Sequence, residues 1–492
     1  MQTERSKITL SQLTAILATK QERLGLHTSI DGGQLITLLL NPASGQARLL
    51  EVDLAAENNQ YPSLTVNHPQ FHWFERGLYD MFGIVPVGHP RFKHLFLHAE
   101  YEDGFFPLRK IALPPGFKPP IGKDFDFLEV KGEGVYELPV GPIHAGIIEP
   151  GHFRFSCYGE TIVNLEVRLG YLHRGIEKRL AESPISRMHF VAEAVSSDTA
   201  CANALAHAEA IESVMEITVS ERARFLRSIA LEIERLAVHI VDVGGMATDI
   251  GLLGISATMG RLRGRALGMG DLLSGSRFLR GFIVPGGVRL LGDKFLSQMK
   301  TQVAMLRHEL KAPIKMFLEN QMALERMKEI GVLSNSLANE FGMVGAALRA
   351  TGTAYDTRQH FPQGAFPEMA PLPACEKGGD IYAREMIRIA EIWSSLDTLD
   401  RLLDNLPAGP EKVPVPTALA KNKTGVGIVE AFRGELIHLI VTDDEGKVAR
   451  YAVKHPSFNN WAAISIAIRN NLIADFPLCN KSLALSYSGN DL

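Results

Sequence analysis

Apolar positions first recur along the chain at helical spacing over residues 1 to 30, which predicts an amphipathic helix ended by Asp31-Gly-Gly. Ile36 to Leu40 and Ala47 to Leu54 then read as strands joined by a turn at Ala43-Ser-Gly, and Tyr61 to Val66 as a third strand. Over Phe71 to Phe82 the period is helical again, with Phe74, Leu78, Met81 and Phe82 on one face and Gly83 as the C-cap. These elements predict a small α+β domain over residues 1–110. Residues 111–135 begin with Pro114, Pro115, Pro119 and Pro120 and read as an extended linker.

Beyond the linker, over 136–492, long helical stripes dominate. Gly141 to Phe155 reads as two short strands around the turn Pro150-Gly151. An apolar series from Ile162 to Leu172 then ends in the charged cluster His173-Arg-Gly-Ile-Glu-Lys178. Helices are predicted over Ala200–Glu216, from Ser220 to about Asp242, over Asp293–Ile330 with a break at Pro313, and over Asp380–Leu406. Period-two runs at Gly427–Phe432, Glu435–Val441 and Val448–Val453 predict three strands. A last helix follows from about Asn459 to Ile473.

Composition narrows the function classes. A chain of 492 residues, 46% hydrophobic and 22% charged, is a globular protein of about two to four domains. Fifty-one basic against 55 acidic residues, a net charge of −4, offers no electrostatic footprint for nucleic acid. No apolar run is long enough to cross a membrane and the first residues do not read as a signal peptide, so the expectation is a soluble, cytoplasmic protein able to dock on a membrane complex. The four cysteines, Cys157, Cys201, Cys375 and Cys479, form no Cys-x-x-Cys pair and read as buried or semi-buried thiols. No Gly-rich dinucleotide fingerprint occurs.

Two sets of motifs carry a family resemblance. Trp73-Phe-Glu-Arg-Gly-Leu-Tyr-Asp-Met-Phe-Gly-Ile84, Gly88-His-Pro90 and Phe106-Pro-Leu-Arg-Lys110 resemble the C subunit of respiratory complex I. The stretch from Gly141 to Lys178 resembles the D subunit of complex I and the large subunit of energy-converting, formate hydrogenlyase-type [NiFe] hydrogenases. Pro285–Arg289, Tyr355–Arg358, Gly379–Arg384 and Glu430–His438 agree in order. The resemblance implies an α+β domain like the C subunit, followed by a mainly helical hydrogenase large subunit-like domain with small antiparallel sheets.

In the hydrogenase relatives four cysteines hold a Ni–Fe centre. By that resemblance their positions fall here on Ser196, Thr199, Ser486 and Gly489, with Asn203 at the position of a histidine. Hydroxyls that stay protonated near neutral pH, and a glycine, cannot replace soft anionic thiolates, so no Ni–Fe centre is expected. Nothing in the sequence supports zinc or magnesium in its place. The quinone-gripping His and Tyr of the complex I D subunit fall on Ile148 and near Ala194, while His144 keeps an earlier histidine of the loop and Asp249 an aspartate of that site. Glu149-Pro-Gly-His152 follows the hydrogenase hairpin, and Arg174 with Glu177 matches a pair that contributes a carboxylate to the proton path.

His144, His152, Arg174, Glu177 and Asp249 are therefore the candidate cavity residues. Each also has a structural reading: hydrogen bonding in a cavity without its metal, or, for Arg174 and Glu177, an i,i+3 ion pair. Arg433 and His438 read as holding the C-terminal strands, and Glu75, Arg76 and Asp80 as an interface network. The chain is expected to bind no cofactor itself. The resemblance implies a 4Fe–4S cluster on a partner Fe–S small subunit (like the B subunit of complex I), a ferredoxin partner like the I subunit, and membrane-arm partners of H-like and antiporter-like type. A quinone-like molecule, another small redox partner, or nothing remains open as the cavity's ligand. The function expected is electron transfer coupled to ion translocation, with a redox-silent scaffold as the alternative and an active formate hydrogenlyase-type hydrogenase as a third reading.

Overall fold

The computed structural model describes residues 3–54, 58–122, 124–144, 148–292 and 295–492. Its N-terminal part is built on four strands, β1 (Glu4–Lys7), β2 (Arg23–Ser29), β3 (Gln34–Asn41) and β4 (Gln46–Asp53), ordered β1-β4-β3-β2. β2, β3 and β4 are antiparallel neighbours, and β1 lies parallel to β4.

The helix expected over residues 1–30 is corrected to β1, a nine-residue helix Leu10–Ala18, and β2. Thr9 caps that helix with Gln12, and only Leu13 and Leu17 are buried along it. β2 is buried on both faces from Leu24 to Ser29, so it shows no period-two alternation by which to recognise it. The strand expected at 61–66 shrinks to β5 (Gln60–Pro62), which pairs with β6 (Val85–Val87) outside the main sheet.

The helix His72–Phe82 ends on left-handed Gly83, as its pattern predicts. Its polar residues serve the chain's own fold rather than an interface. Glu75 accepts from Ser63, Thr65 and the Leu64 N–H, Asp80 accepts from the Leu95, Phe96 and Leu97 N–H groups, and Arg76 donates to the Lys93 and His94 carbonyls. All three are buried within the chain and satisfy the backbone of two loops.

Between β6 and β7 (Val135–Val140) the described residues form only turns and bends, as the prolines require. β7, β8 (His152–Tyr158) and β9 (Thr161–Arg168) make an antiparallel sheet. The described residues between β7 and β8 form a loop, not a strand of their own. The two-residue strands β10 (Ile283–Val284) and β11 (Gly287–Val288) form a small hairpin.

The helical core centres on Glu221–Ile250, which packs on Leu253–Ser274 and Ile381–Asp404. Ser220 and Asp380, where these two helices are expected to begin, cap them. Leu253–Ser274 is missed by periodicity, because five glycines interrupt its apolar pattern. The helix predicted over 293–330 divides into Phe295–Glu309, Lys311–Leu318 and Gln321–Met327, and its expected start at Asp293 lies outside the described residues. Pro313 sits in the first turn of the middle piece, where no intrahelical N–H bond is lost.

The three C-terminal strands appear where predicted, as β12 (Thr424–Ala431), β13 (Gly434–Thr442) and β14 (Val448–Lys454). The helix Ala200–Met215 lies directly on β12. A Cβ at Gly427 would stand 2.0 Å from the Ala206 carbonyl oxygen, and one at Gly425 2.1 Å from that of Ala210. The contact thus needs glycine on the strand, where the helix backbone itself approaches. The last helix runs Pro456–Ala467, and the tail adds the short helices Phe476–Leu483 and Tyr487–Asp491.

Candidate functional site

The tail returns to the start of the helix Ala200–Met215. Ser196 precedes the turn Ser197–Thr199 that opens this helix, and Ser486 caps Tyr487–Asp491 by accepting from the Gly489 N–H at 3.0 Å. Ser196 Oγ lies 3.2 Å from Ser486 Oγ, and Thr199 Oγ1 lies 3.3 Å from Ser196 Oγ. All four positions named by the hydrogenase resemblance therefore meet, across 290 residues of sequence between the two serines.

Arg433, in the turn between β12 and β13, organises this cluster. Its guanidinium clasps Asp198 at 2.6 and 2.8 Å, donates to Thr199 Oγ1 at 3.1 Å and donates to the Ala484 carbonyl. Ser196 and Thr199 also donate to Asp198 Oδ1, at 2.7 and 2.9 Å. Ser196 has then spent its proton, so Ser486 is the donor in the Ser486–Ser196 pair. Burial opposes ionisation of Asp198, but Arg433 and the two hydroxyls reverse that and hold its carboxyl well below the usual carboxylate range. Assigning Arg433 only to the strands is corrected. Its partner Asp198 is 235 residues away, beyond any sequence pattern.

This donor set does not fit a Ni–Fe centre. The four positions present three hydroxyls and no side chain at the fourth, and the hydroxyls bond one another, Asp198 and Arg433. Among the described residues no group of three or more His, Cys, Asp or Glu is placed to hold a metal ion. The thiols lie elsewhere: Cys157, Cys201 and Cys479 are buried and Cys375 is exposed, which corrects the expectation that all four are shielded.

The β7–β8 loop closes on the tail from one side. His144 Nε2 lies 3.1 Å from the Tyr487 hydroxyl, and Glu149 accepts from the Ser488 N–H at 2.9 Å. Arg174 staples two walls together, donating to the carbonyls of Ala194 and Val195, both at 2.8 Å, and of Ser488 at 3.2 Å. His144 and Arg174 thus border the cluster.

The other three candidates lie apart from it. His152 is one residue before Phe153, and strand alternation sends the two to opposite faces. Phe153 faces His144 and Trp461, while His152 packs on Phe127 and donates to the Gly141 carbonyl. Glu177 does not pair with Arg174. It binds Arg450 at 2.6 Å and the Val453 N–H at 2.9 Å, and Arg450 in turn reaches Thr28 of β2. Asp249, at the end of the helix Glu221–Ile250, forms a partly exposed ion pair with Lys481 at 2.6 Å. Ile148, on the quinone-histidine position, is exposed.

Behind the cluster runs a buried chain that the sequence did not reveal. Asn203 donates to the Thr199 carbonyl at 2.8 Å, which turns its Oδ1 toward His438 Nε2 at 3.0 Å. That oxygen only accepts, so His438 carries its proton on Nε2 and accepts through Nδ1 from Tyr451 at 2.8 Å. The Tyr451 oxygen then accepts from His207 Nδ1, also at 2.8 Å. Asn203, where the relatives place a histidine, thereby holds two imidazoles in single tautomers. Burial keeps both neutral, with His207 lowered to about 3 and His438 also well below its ordinary value.

Comparison with known proteins agrees with this architecture. The family described as respiratory-chain NADH dehydrogenase, 30 Kd subunit, matches residues 4–126, and that described as respiratory-chain NADH dehydrogenase, 49 Kd subunit, matches 249–427 and 417–491. Formate hydrogenlyase subunit 5 of Escherichia coli (strain K12) is 33% identical over 450 residues, covering 90% of this chain and 79% of that protein. The NADH-quinone oxidoreductase C/D subunit of Phocaeicola vulgatus is 30% identical over 444 residues, covering 85% of this chain and 84% of that protein. One chain in the structure of the membrane-bound sulfane sulfur reductase (MBS), an archaeal respiratory membrane complex, matches with a TM-score of 0.69 at 27% identity, over 73% of this chain and 99% of that one. No helix among the described residues is long and apolar enough to cross a membrane. The chain belongs to the fused 30 Kd/49 Kd family that the C/D subunits of NADH-quinone oxidoreductase share with formate hydrogenlyase-type, hydrogenase-related subunits of membrane-bound complexes.

Proposed function

We propose that this chain is a peripheral subunit, on the cytoplasmic side of the membrane, of a complex I-like oxidoreductase that works without a Ni–Fe centre. The observation that carries this reading is the Ser196–Thr199–Ser486–Gly489 cluster: the four ligand positions come together, yet they offer hydroxyls already committed to one another and to Asp198. In this reading electrons come from a 4Fe–4S cluster on a partner Fe–S small subunit, supplied through a ferredoxin-like partner. They pass to a quinone-like or other small acceptor, and the event is coupled to ion translocation by H-like and antiporter-like proteins of the membrane arm. His144 and Arg174, which border the cluster, are the residues of this chain best placed to sense that acceptor.

A second reading is a redox-silent scaffold that passes conformational change from a partner to the membrane arm. The closure of the hydroxyls on one another favours it, since a filled cluster has no need of a ligand. Metal analysis and electron-transfer assay of the purified complex separate the two. The first reading expects Fe–S-dependent turnover without nickel, reduced in His144→Ala. Turnover unchanged in that variant, or none at all, favours the scaffold. Stoichiometric nickel with hydrogen turnover would overturn both.

A further inference from the structure

Gly489 is the one ligand position without a side chain, and backbone strain does not explain it. It lies inside the helix Tyr487–Asp491 and outside the left-handed region. Space explains it. A Cβ built on Gly489 would stand 2.6 Å from both Cγ and Nδ1 of His455 and 2.8 Å from Cδ2. These atoms are the root of the imidazole rather than the tip of a flexible chain, so no small rotation relieves the overlap. His455 is itself pinned. It is fully buried, it precedes Pro456 at the start of the helix Pro456–Ala467, and its Nδ1 accepts from the Ser457 N–H at 3.2 Å. With Nδ1 accepting, the proton sits on Nε2, which has no hydrogen-bond partner among the described residues.

We propose that the His455 imidazole has taken the side-chain volume of the fourth metal-ligand position, and that residue 489 is glycine for that reason. The site is then refilled rather than merely stripped of thiols. Returning cysteines to the four positions cannot rebuild a thiolate centre for a soft divalent metal while His455 stays in place. This inference rests on the reading that the chain works without a Ni–Fe centre. It also explains why Ser486 remains able to cap its helix and bond Ser196: the tail is wedged against the imidazole on one side and held by Trp461 Nε1 at the Ser486 carbonyl, 3.1 Å, on the other.

Two experiments on the full chain test it. The first compares Ser196→Cys/Thr199→Cys/Ser486→Cys/Gly489→Cys with the same chain also carrying His455→Ala, each titrated with Co2+ and followed by thiolate-to-cobalt charge-transfer absorption. The chain with His455→Ala is expected to bind one Co2+ at least about tenfold more tightly than the chain retaining His455. Equal binding by the two, or binding by neither, would overturn the proposal. The second is a thermal-unfolding cycle of Gly489→Ala and His455→Ala. Gly489→Ala should lower the midpoint strongly in the native background and much less once His455 is alanine. Additive losses would overturn the proposal even if the cysteine-bearing chains do not fold. Nickel found in the native complex would instead strike at the metal-free reading, and leaves the cycle an independent measure of the His455–Gly489 coupling.

Discussion

Two of the polar regions in the helical part of this protein are built on opposite principles. Around the helix Glu221–Ile250, Arg235, Arg349 and Arg358 meet Glu232, Asp356, Glu391 and Glu430, with Arg349 2.8 Å from Glu430 and Arg358 2.6 Å from Asp356 and 2.9 Å from Glu232. Among the described residues the hydroxyl cluster has one ion pair, Asp198–Arg433. In the first region each charge depends on its partners, since a deleted partner strands a charge away from water. In the second, a thiol replaced by a hydroxyl leaves no charge behind. Thiolates without their metal would instead set buried anions beside Asp198 and Glu149. The contrast explains how ligand chemistry can be lost from a fold while its charged core stays whole.

Acid should break this contrast most visibly. Burial lowers His207 and His455 to about 3 and His438 well below its ordinary value, and all three imidazoles lie behind or within the cluster. Their folded pKa values are below the unfolded value of about 6.5, so between the two the unfolded chain binds more protons. Stability contributed by these groups is full above about pH 6.5 and falls as pH drops toward 3, by up to about 1.4 kcal/mol per pH unit for each imidazole. For Asp356 and Glu391, burial raises the carboxyl, but the facing arginines outweigh it and hold both below their ordinary values. Their contribution is lost only as pH falls below about 4. Glu209 and Glu234, which burial pushes up to about 8, bind protons in the folded state over the same window and act against this loss. Stability in urea, followed from pH 7 to 4, should therefore fall more steeply in the native chain than in His455→Ala, and equal slopes would refute the neutral assignment of that imidazole.

Arg349→Met is the next largest expected effect, because it leaves Glu391 and Glu430 without their shared guanidinium. The loss should be about 3–5 kcal/mol in denaturant unfolding, and a loss under about 1 kcal/mol would show that the network is not sustaining the core. Asn203→Leu should cost less, about 1–3 kcal/mol, by leaving the buried His438 Nε2–H without its acceptor. Imidazole NMR should show His438 losing its single tautomer in that variant; an unchanged tautomer would mean Asn203 does not set it. Asp249→Ala removes only a partly exposed pair with Lys481 and should cost about 0–1 kcal/mol. A larger loss, or lost turnover of the complex, would restore Asp249 to the site.

Legibility followed locality. The strands β12 to β14, the helix starts at Ser220 and Asp380, and the Gly83 stop depend on neighbours in sequence, and the residue pattern reported them. β2 hid because both its faces are covered, and the helix Leu253–Ser274 because glycines blank its stripe. At the site, resemblance named Ser196, Thr199, Ser486 and Gly489. It did not find Arg433 opposite Asp198, the Asn203–His438–Tyr451–His207 chain, or His455, whose partners lie far away in sequence.

By itself the sequence determined most of the local elements and, read through the family resemblance, the absence of thiols at the four ligand positions, because periodicity, capping and side-chain chemistry are properties of nearby residues. Only the tertiary structure decided that those positions still meet, that Glu177 and Asp249 serve other contacts, and that an imidazole fills the space beside Gly489. These follow from close packing, where the volume available to one residue is set by another brought to it by the fold.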